Sequence, residues 1–85
     1  MKKKKLKVGG MAIYKHRYYG DMSVIIESRK NDSLRYLAFM DLQSSGCDKR
    51  KQFRKMTTKE FKSAEEYLKN MKNKVEIIEK ALSFK

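Results

Sequence analysis

The sequence predicts an α+β domain: a four-stranded antiparallel meander sheet followed by one long C-terminal amphipathic helix, ββββα. Two observations predict it. Every strand-like run, studded with Tyr, Phe, Lys and Arg, lies between Val8 and Met56, and a sustained three-and-four apolar spacing begins only after Thr58. The connections between the strand-like runs are short and polar, which is the pattern of a meander. At 85 residues the chain is read as a flexible basic arm, residues 1–7, and a single domain, residues 8–85.

Gly9-Gly10 permits an unusual backbone or a bulge ahead of the first strand, Met11 to Tyr19, which ends at the turn pair Gly20-Asp21. Val24, Ile25 and Ile26 centre a second strand from Met22 to Ser28, and Lys30-Asn31-Asp32-Ser33 supplies turn residues before a third, Leu34 to Leu42. Gln43 to Asp48 has turn chemistry throughout. Lys49 to Met56 then reads as a short, basic fourth strand anchored by Phe53 and Met56.

Thr57 and Glu60 have the spacing of a capping box, which satisfies backbone donors at a helix start. Phe61, Ala64, Leu68, Met71, Val75, Ile78 and Leu82 follow on one stripe, with Glu65–Lys69 and Glu76–Lys80 as ion pairs on the wet side. A helix of about 25 residues is about 38 Å long and overhangs a small sheet. Its far end, Val75 to Phe84, is therefore expected to pack on a second subunit. A domain this small buries only about 60% of its unfolded surface, which also favours a homodimer.

Twenty-two Lys and Arg against ten Asp and Glu leave a net charge of +12, which favours polyanionic partners such as DNA or RNA. The surplus is uneven: seven basic and no acidic residues in 1–20, eight and five in 21–56, seven and five in 57–85. A single cysteine, Cys47, forms no internal disulfide and has no second Cys or paired His at metal-ligand spacing. No metal, cofactor or small-molecule ligand is expected. With no apolar run long enough for a membrane span or a signal peptide, the expected location is the cytoplasm.

Alternation allows Leu37 and Phe39 to face the helix together with Val24 and Ile26. Tyr36, Ala38 and Met40, with Ile25, Glu27, Arg29 and Asn31, then occupy the opposite, open face. There an exposed tyrosine beside an Arg and an Asn suits unpaired bases. The reverse assignment satisfies alternation equally, with Tyr36 capping the core and Arg29 simply solvated. Lys49, Arg50, Lys51, Arg54 and Lys55 form the densest cationic cluster and suit phosphate. Lys15 and Arg17, flanking His16, suit phosphate too.

Residues 22–31 (MSVIIESRKN), 35–42 (RYLAFMDL) and 53–56 (FRKM), then Thr58 and the helix, resemble a PUR repeat. This PUR-alpha-like family comprises purine-rich-element binding proteins and small bacterial relatives, akin in fold to the Whirly proteins and positive-cofactor transcription coactivators. The resemblance spans roughly residues 17–82. It implies four strands and a helix, a dimer intertwined through its helices, and single-stranded nucleic acid held by Arg29, Asn31 and Tyr36 on the open face. The chain departs from the family in lacking a Gly after Asn31, in having Tyr where Phe is usual, and in its Lys-rich tail.

Catalysis finds little support: His16 is the lone imidazole, Cys47 lies far from it in sequence, and Glu27 and Asp41 sit on different strands. The function expected is therefore a non-catalytic single-stranded DNA- or RNA-binding protein, a transcriptional or replication accessory. The alternative is a small phage-like or mobile-element protein, such as a nuclease inhibitor, whose basic face docks on an acidic protein surface.

Overall fold

The structure, a computed structural model, describes residues 6–72 and 74–83. One antiparallel sheet contains β1 (Met11–His16), β2 (Gly20–Lys30), β3 (Ser33–Ala38), β4 (Ser45–Lys49) and β5 (Phe53–Arg54), in spatial order β4-β3-β2-β1-β5. Two helices follow, α1 (Thr58–Lys69) and α2 (Val75–Leu82). The ββββα expectation is corrected twice, since the sheet has five strands and the long helix is broken.

The fifth strand arises where the sequence reads as one. β4 occupies Ser45–Lys49, a stretch of turn-forming residues, and Arg50–Gln52 make a single 3₁₀ turn before β5. In a flat sheet β4 and β5 would lie four strand spacings apart, about 19 Å. The 3₁₀ turn rises only about 2 Å per residue and bridges less than half of that. The sheet must therefore curl until its edges nearly meet, as in a small, incompletely closed barrel. The bend is built into β2, whose first half pairs with β1 and second half with β3, with a register shift between Ile26 and Ser28. A bond across the curl reinforces it: the Tyr14 hydroxyl on β1 donates to Asp48 Oδ2 on β4 at 2.6 Å.

Curling gives the sheet an inside, and the inside is filled. Ala12, Tyr14, Val24, Ile26, Leu34 and Phe53 form one buried cluster, joined by Leu6 and by half-buried Met22 and Tyr36. On the outer face Ile25, Leu37, Phe39 and Leu42 pack with Ala64 and Leu68 of α1 and Ile78 and Ala81 of α2. The expected open face is thus corrected: both faces are covered. Leu37 and Phe39 do face the helices, but with Ile25 rather than Val24 and Ile26. The register explains the exchange, because Ile25 stands directly opposite Leu37, and opposed residues share a face.

The third strand stops at Ala38 rather than Leu42. Asp41 accepts hydrogen bonds from the Gln43 and Ser44 backbone and from the Ser44 hydroxyl, folding a loop that turns Leu42 into the core. Gly46 is needed for close approach: a Cβ there would lie 2.7 Å from the Tyr36 hydroxyl.

The capping box forms as expected, with Glu60 N donating to Thr57 Oγ1 at 3.1 Å and Thr57 N to Glu60 Oε1 at 2.9 Å. The helix it starts ends at Lys69. Asn70 donates its side-chain amide to the Glu66 carbonyl, and Lys74 takes a left-handed backbone, φ 58°. Asn competes with helical bonding through its own side chain, so an Asn-rich segment is a natural breaking point. A continuous 38 Å helix would also have outrun the longest dimension of the Cα trace, 35 Å. Broken, it folds back, buries Ile78 and Ala81, and half-buries Ile77 and Leu82 against its own chain. The overhang that called for a second subunit is absent over the described residues, and Phe84 lies outside them.

Glu65 and Lys69 pair at 3.7 Å, whereas Lys80 lays its stem over Gly9. Gly9 donates to the Ile26 carbonyl and Gly10 accepts from Ile26, so this segment runs beside β2. Of the basic arm, Leu6 is buried, and residues 1–5 lie outside the described region. Among the described residues no helix is long and apolar enough to cross a membrane.

Candidate nucleic-acid interface

The turn between β1 and β2 holds two adjacent tyrosines in water. Tyr18 is 81% exposed and Tyr19 78%. Neither can turn inward, because a hairpin tip has no interior. The tip is nonetheless ordered by His16, whose Nδ1 accepts from Tyr18 N at 2.9 Å and Tyr19 N at 3.3 Å. Its ring centroid lies 4.7 Å from that of Tyr19 and 5.9 Å from that of Tyr18. Gly20, with φ 76°, closes the turn in a conformation other residues rarely adopt.

Beside the tip runs a basic rim. The 3₁₀ turn Arg50–Gln52 lies against β1, and Arg50 N donates to the Asp32 carbonyl at 2.7 Å, tying it to the β2–β3 turn. That turn is two residues long, with Asn31 at φ 54°, a conformation Asn tolerates well. Opposed residues form rows across the sheet here. Lys30, Ser33 and Lys49 make one, and Arg29, Leu34 and Asp48 the next. The architecture therefore gathers Arg29, Asn31, Lys49, Arg50 and Lys51 at one end. Arg54 and Lys55 line a groove shared with Arg50, Lys51 and Asp32.

Asp48 links rim and tip. Its carboxyl is held below the usual range chiefly by the Tyr14 hydroxyl and the Lys49 backbone N–H, with the nearby charges of Arg17 and Lys49 adding to the effect. Burial, and then the Asp48 carboxylate, push the Tyr14 phenol well above its ordinary range. Arg17 at the tip and Lys49 on the rim thus border the same carboxylate.

The other acids of the sheet half, Asp32 apart, are similarly committed. Asp21 and Glu60 both hold Arg54, Glu60 through two 2.8 Å bonds, and Glu27 pairs with Arg35 at 3.2 Å. Asp41 caps its own loop, and its carboxyl is lowered by the Ser44 and Gln43 N–H groups. Asp32 alone among these carboxylates has no side-chain hydrogen bond or ion pair within the described residues. By contrast Lys15, Arg17, Arg29, Lys30, Lys49, Arg50, Lys51 and Lys55 make no ion pair among the described residues.

Two of the sequence-predicted site residues are taken up by the fold itself. Tyr36 lies half-buried inside the curl, its ring 4.5 Å from that of Tyr14, and offers no open platform. Arg54 is a structural link between β5, Asp21 and the start of α1, held charged by Glu60. Lys15 is exposed on β1 opposite Asp21, and Arg17 sits at the tip. The sequence places Tyr18 and Tyr19 at the end of the first strand, whereas β1 stops at His16 and leaves both in the turn beyond it. The signal was there: two neighbouring aromatics directly before a turn glycine cannot both find a core.

Of the groups considered for catalysis, Cys47 is an exposed thiol, His16 is engaged at Nδ1, and Glu27 and Asp41 serve the fold as described. No group of three or more His, Cys, Asp or Glu residues that could hold a metal ion occurs among the described residues. Comparison with protein-family models, curated proteins and solved structures finds no match to this chain.

Proposed function

We propose that this chain is a non-catalytic nucleic-acid-binding protein that grips the phosphate backbone with the rim of Arg17, Arg29, Lys30, Lys49, Arg50 and Lys51. One observation carries the reading. Every carboxylate of the sheet half except Asp32 is drawn into structural bonds, while these cations are left without ion pairs among the described residues. A fold that needed the cations for itself would pair them. The net charge of +12 adds a long-range attraction for polyanions. Cations anchored on a turn and strand ends suit phosphates better than base edges, since phosphate contact demands charge and reach rather than fixed geometry.

The test is fluorescence anisotropy with labelled oligonucleotides over a range of salt. Each neutralised phosphate of a single strand contributes about 0.7 to the slope of log affinity against log salt. The variant K49Q/R50Q/K51Q should therefore flatten the slope by about 2. An unchanged slope, or no binding even at low salt, would refute the reading and turn attention to an acidic protein partner.

A further inference from the structure

Two tyrosines held in water by a dedicated hydrogen-bonded turn need an explanation beyond packing. Tyr18 and Tyr19 are the most exposed large hydrophobic side chains among the described residues. Each aromatic carries about 150–250 Å² of surface that a core or an interface could use. His16 holds the backbone of both in place and lays its ring against theirs, so the tip stands pre-ordered. Beside it, Arg17 and Lys49 border Asp48, and Lys49 continues into Arg50 and Lys51. Flat π-faces therefore project next to a line of cations.

We infer that the Tyr18–Tyr19 tip stacks on unpaired nucleobases while Arg17 and Lys49 hold the flanking phosphates, so that the preferred ligand is a single strand. The inference rests on the nucleic-acid reading above and adds the strandedness and the residues that choose it. A single strand presents base faces and phosphates side by side, as the tip and rim do. A duplex conceals its base faces within the stack, leaving the tyrosines nothing to cover. Stacking tolerates any base, because every base has a π-face, so the tip is expected to favour strandedness over sequence.

The experiment compares the full chain with Y18A/Y19A, Y18F/Y19F and K49Q/R50Q/K51Q, using labelled single-stranded and duplex oligonucleotides of equal length. Thermal melts establish that each variant is folded, which the exposure of the two tyrosines favours. The alanine pair should lose about 5- to 150-fold in single-strand affinity for each ring that stacks, with duplex binding and the salt slope unchanged. The phenylalanine pair, which keeps both rings, should restore single-strand affinity to within about threefold of the parent. Equal loss on both ligands, or no loss on either, would overturn the inference. If only the glutamine variant then lost affinity, phosphate binding would stand without it, and if no variant or ligand showed binding, both readings would fall. Vesicles containing phosphatidylserine form a last arm: tyrosine-dependent vesicle binding with single-strand affinity unchanged would assign the tip to a membrane surface instead.

Discussion

Replacing Tyr14 by Phe tests whether a single hydrogen bond holds the curl of the sheet. The change removes one oxygen and keeps the ring, which packs 4.5 Å from Tyr36 and 4.8 Å from Phe53. What is lost is the 2.6 Å bond to Asp48. Hydrogen bonds to charged groups contribute about 1.5–3 kcal/mol. Asp48 is only half-buried and keeps the Lys49 N–H at 2.7 Å, so the lower end applies, about 1.5 kcal/mol. For a domain of this size each kcal/mol moves Tm by about 4–8 °C, so Y14F should melt about 6–12 °C lower at neutral pH. Acid supplies a second readout. The Asp48 carboxyl is depressed in the folded state, so its stabilising contribution is full above the unfolded value of about 3.9 and fades as pH falls through the folded one. Y14F removes the chief cause of that depression, so its melting curves should converge on the parent's below about pH 3.9. A variant melting within about 2 °C of the parent at pH 7 would refute the claim that this bond holds β1 to β4.

Two other outcomes follow from the packing and from the helix start. G46A should destabilise by about 1–3 kcal/mol in urea titrations, because its methyl meets the Tyr36 hydroxyl and the Tyr36 ring is backed by Tyr14. The same change in a Y36F background should cost less, and strict additivity would show that the ring is not pinned. Glu60 is lowered from its ordinary 4.5 to about 2, by Arg54 first and the Thr57 N–H second. Its contribution is complete above about 4.5 and disappears as pH falls toward 2, so E60Q should melt lower at pH 7 and lose less between those values. Parallel acid limbs for E60Q and the parent, followed by circular dichroism, would contradict the pairing.

What the sequence made legible was local. The turn at Asn31-Asp32, the β-branched centre of β2 and the capping box at Thr57 and Glu60 each depend on residues a few positions apart, and each is present. The split of the last strand depends instead on partners far apart in the chain. Ser45–Lys49 becomes a strand because Gly46 admits the Tyr36 ring and Asp48 receives a hydroxyl from 34 positions away. Composition marks that stretch as loop, and the pairing overrides it. The face of β2 was undetermined for a related reason, since alternation fixes a phase only once a partner register is known. For the candidate site the cationic cluster was readable as composition. Its context was not, because a concave face filled by its own aromatics moves the exposed rings to a hairpin tip.

The order of the strands has a consequence for how the chain assembles. Every neighbouring pair from β1 to β4 is consecutive and joined by a short connection, so those hairpins can form one after another from local contacts. The last pairing is different. β5 reaches back to β1 through only Ile13 with Arg54 and Tyr14 with Phe53, and must first close the loop that contains the other three strands. Two residue pairs are little return for that lost freedom, and Arg54 makes up part of the difference by bonding Glu60 of α1 and Asp21 of β2 at once. The closing seam is thus expected to form late in folding, with the rim of cations taking its final shape only when it shuts.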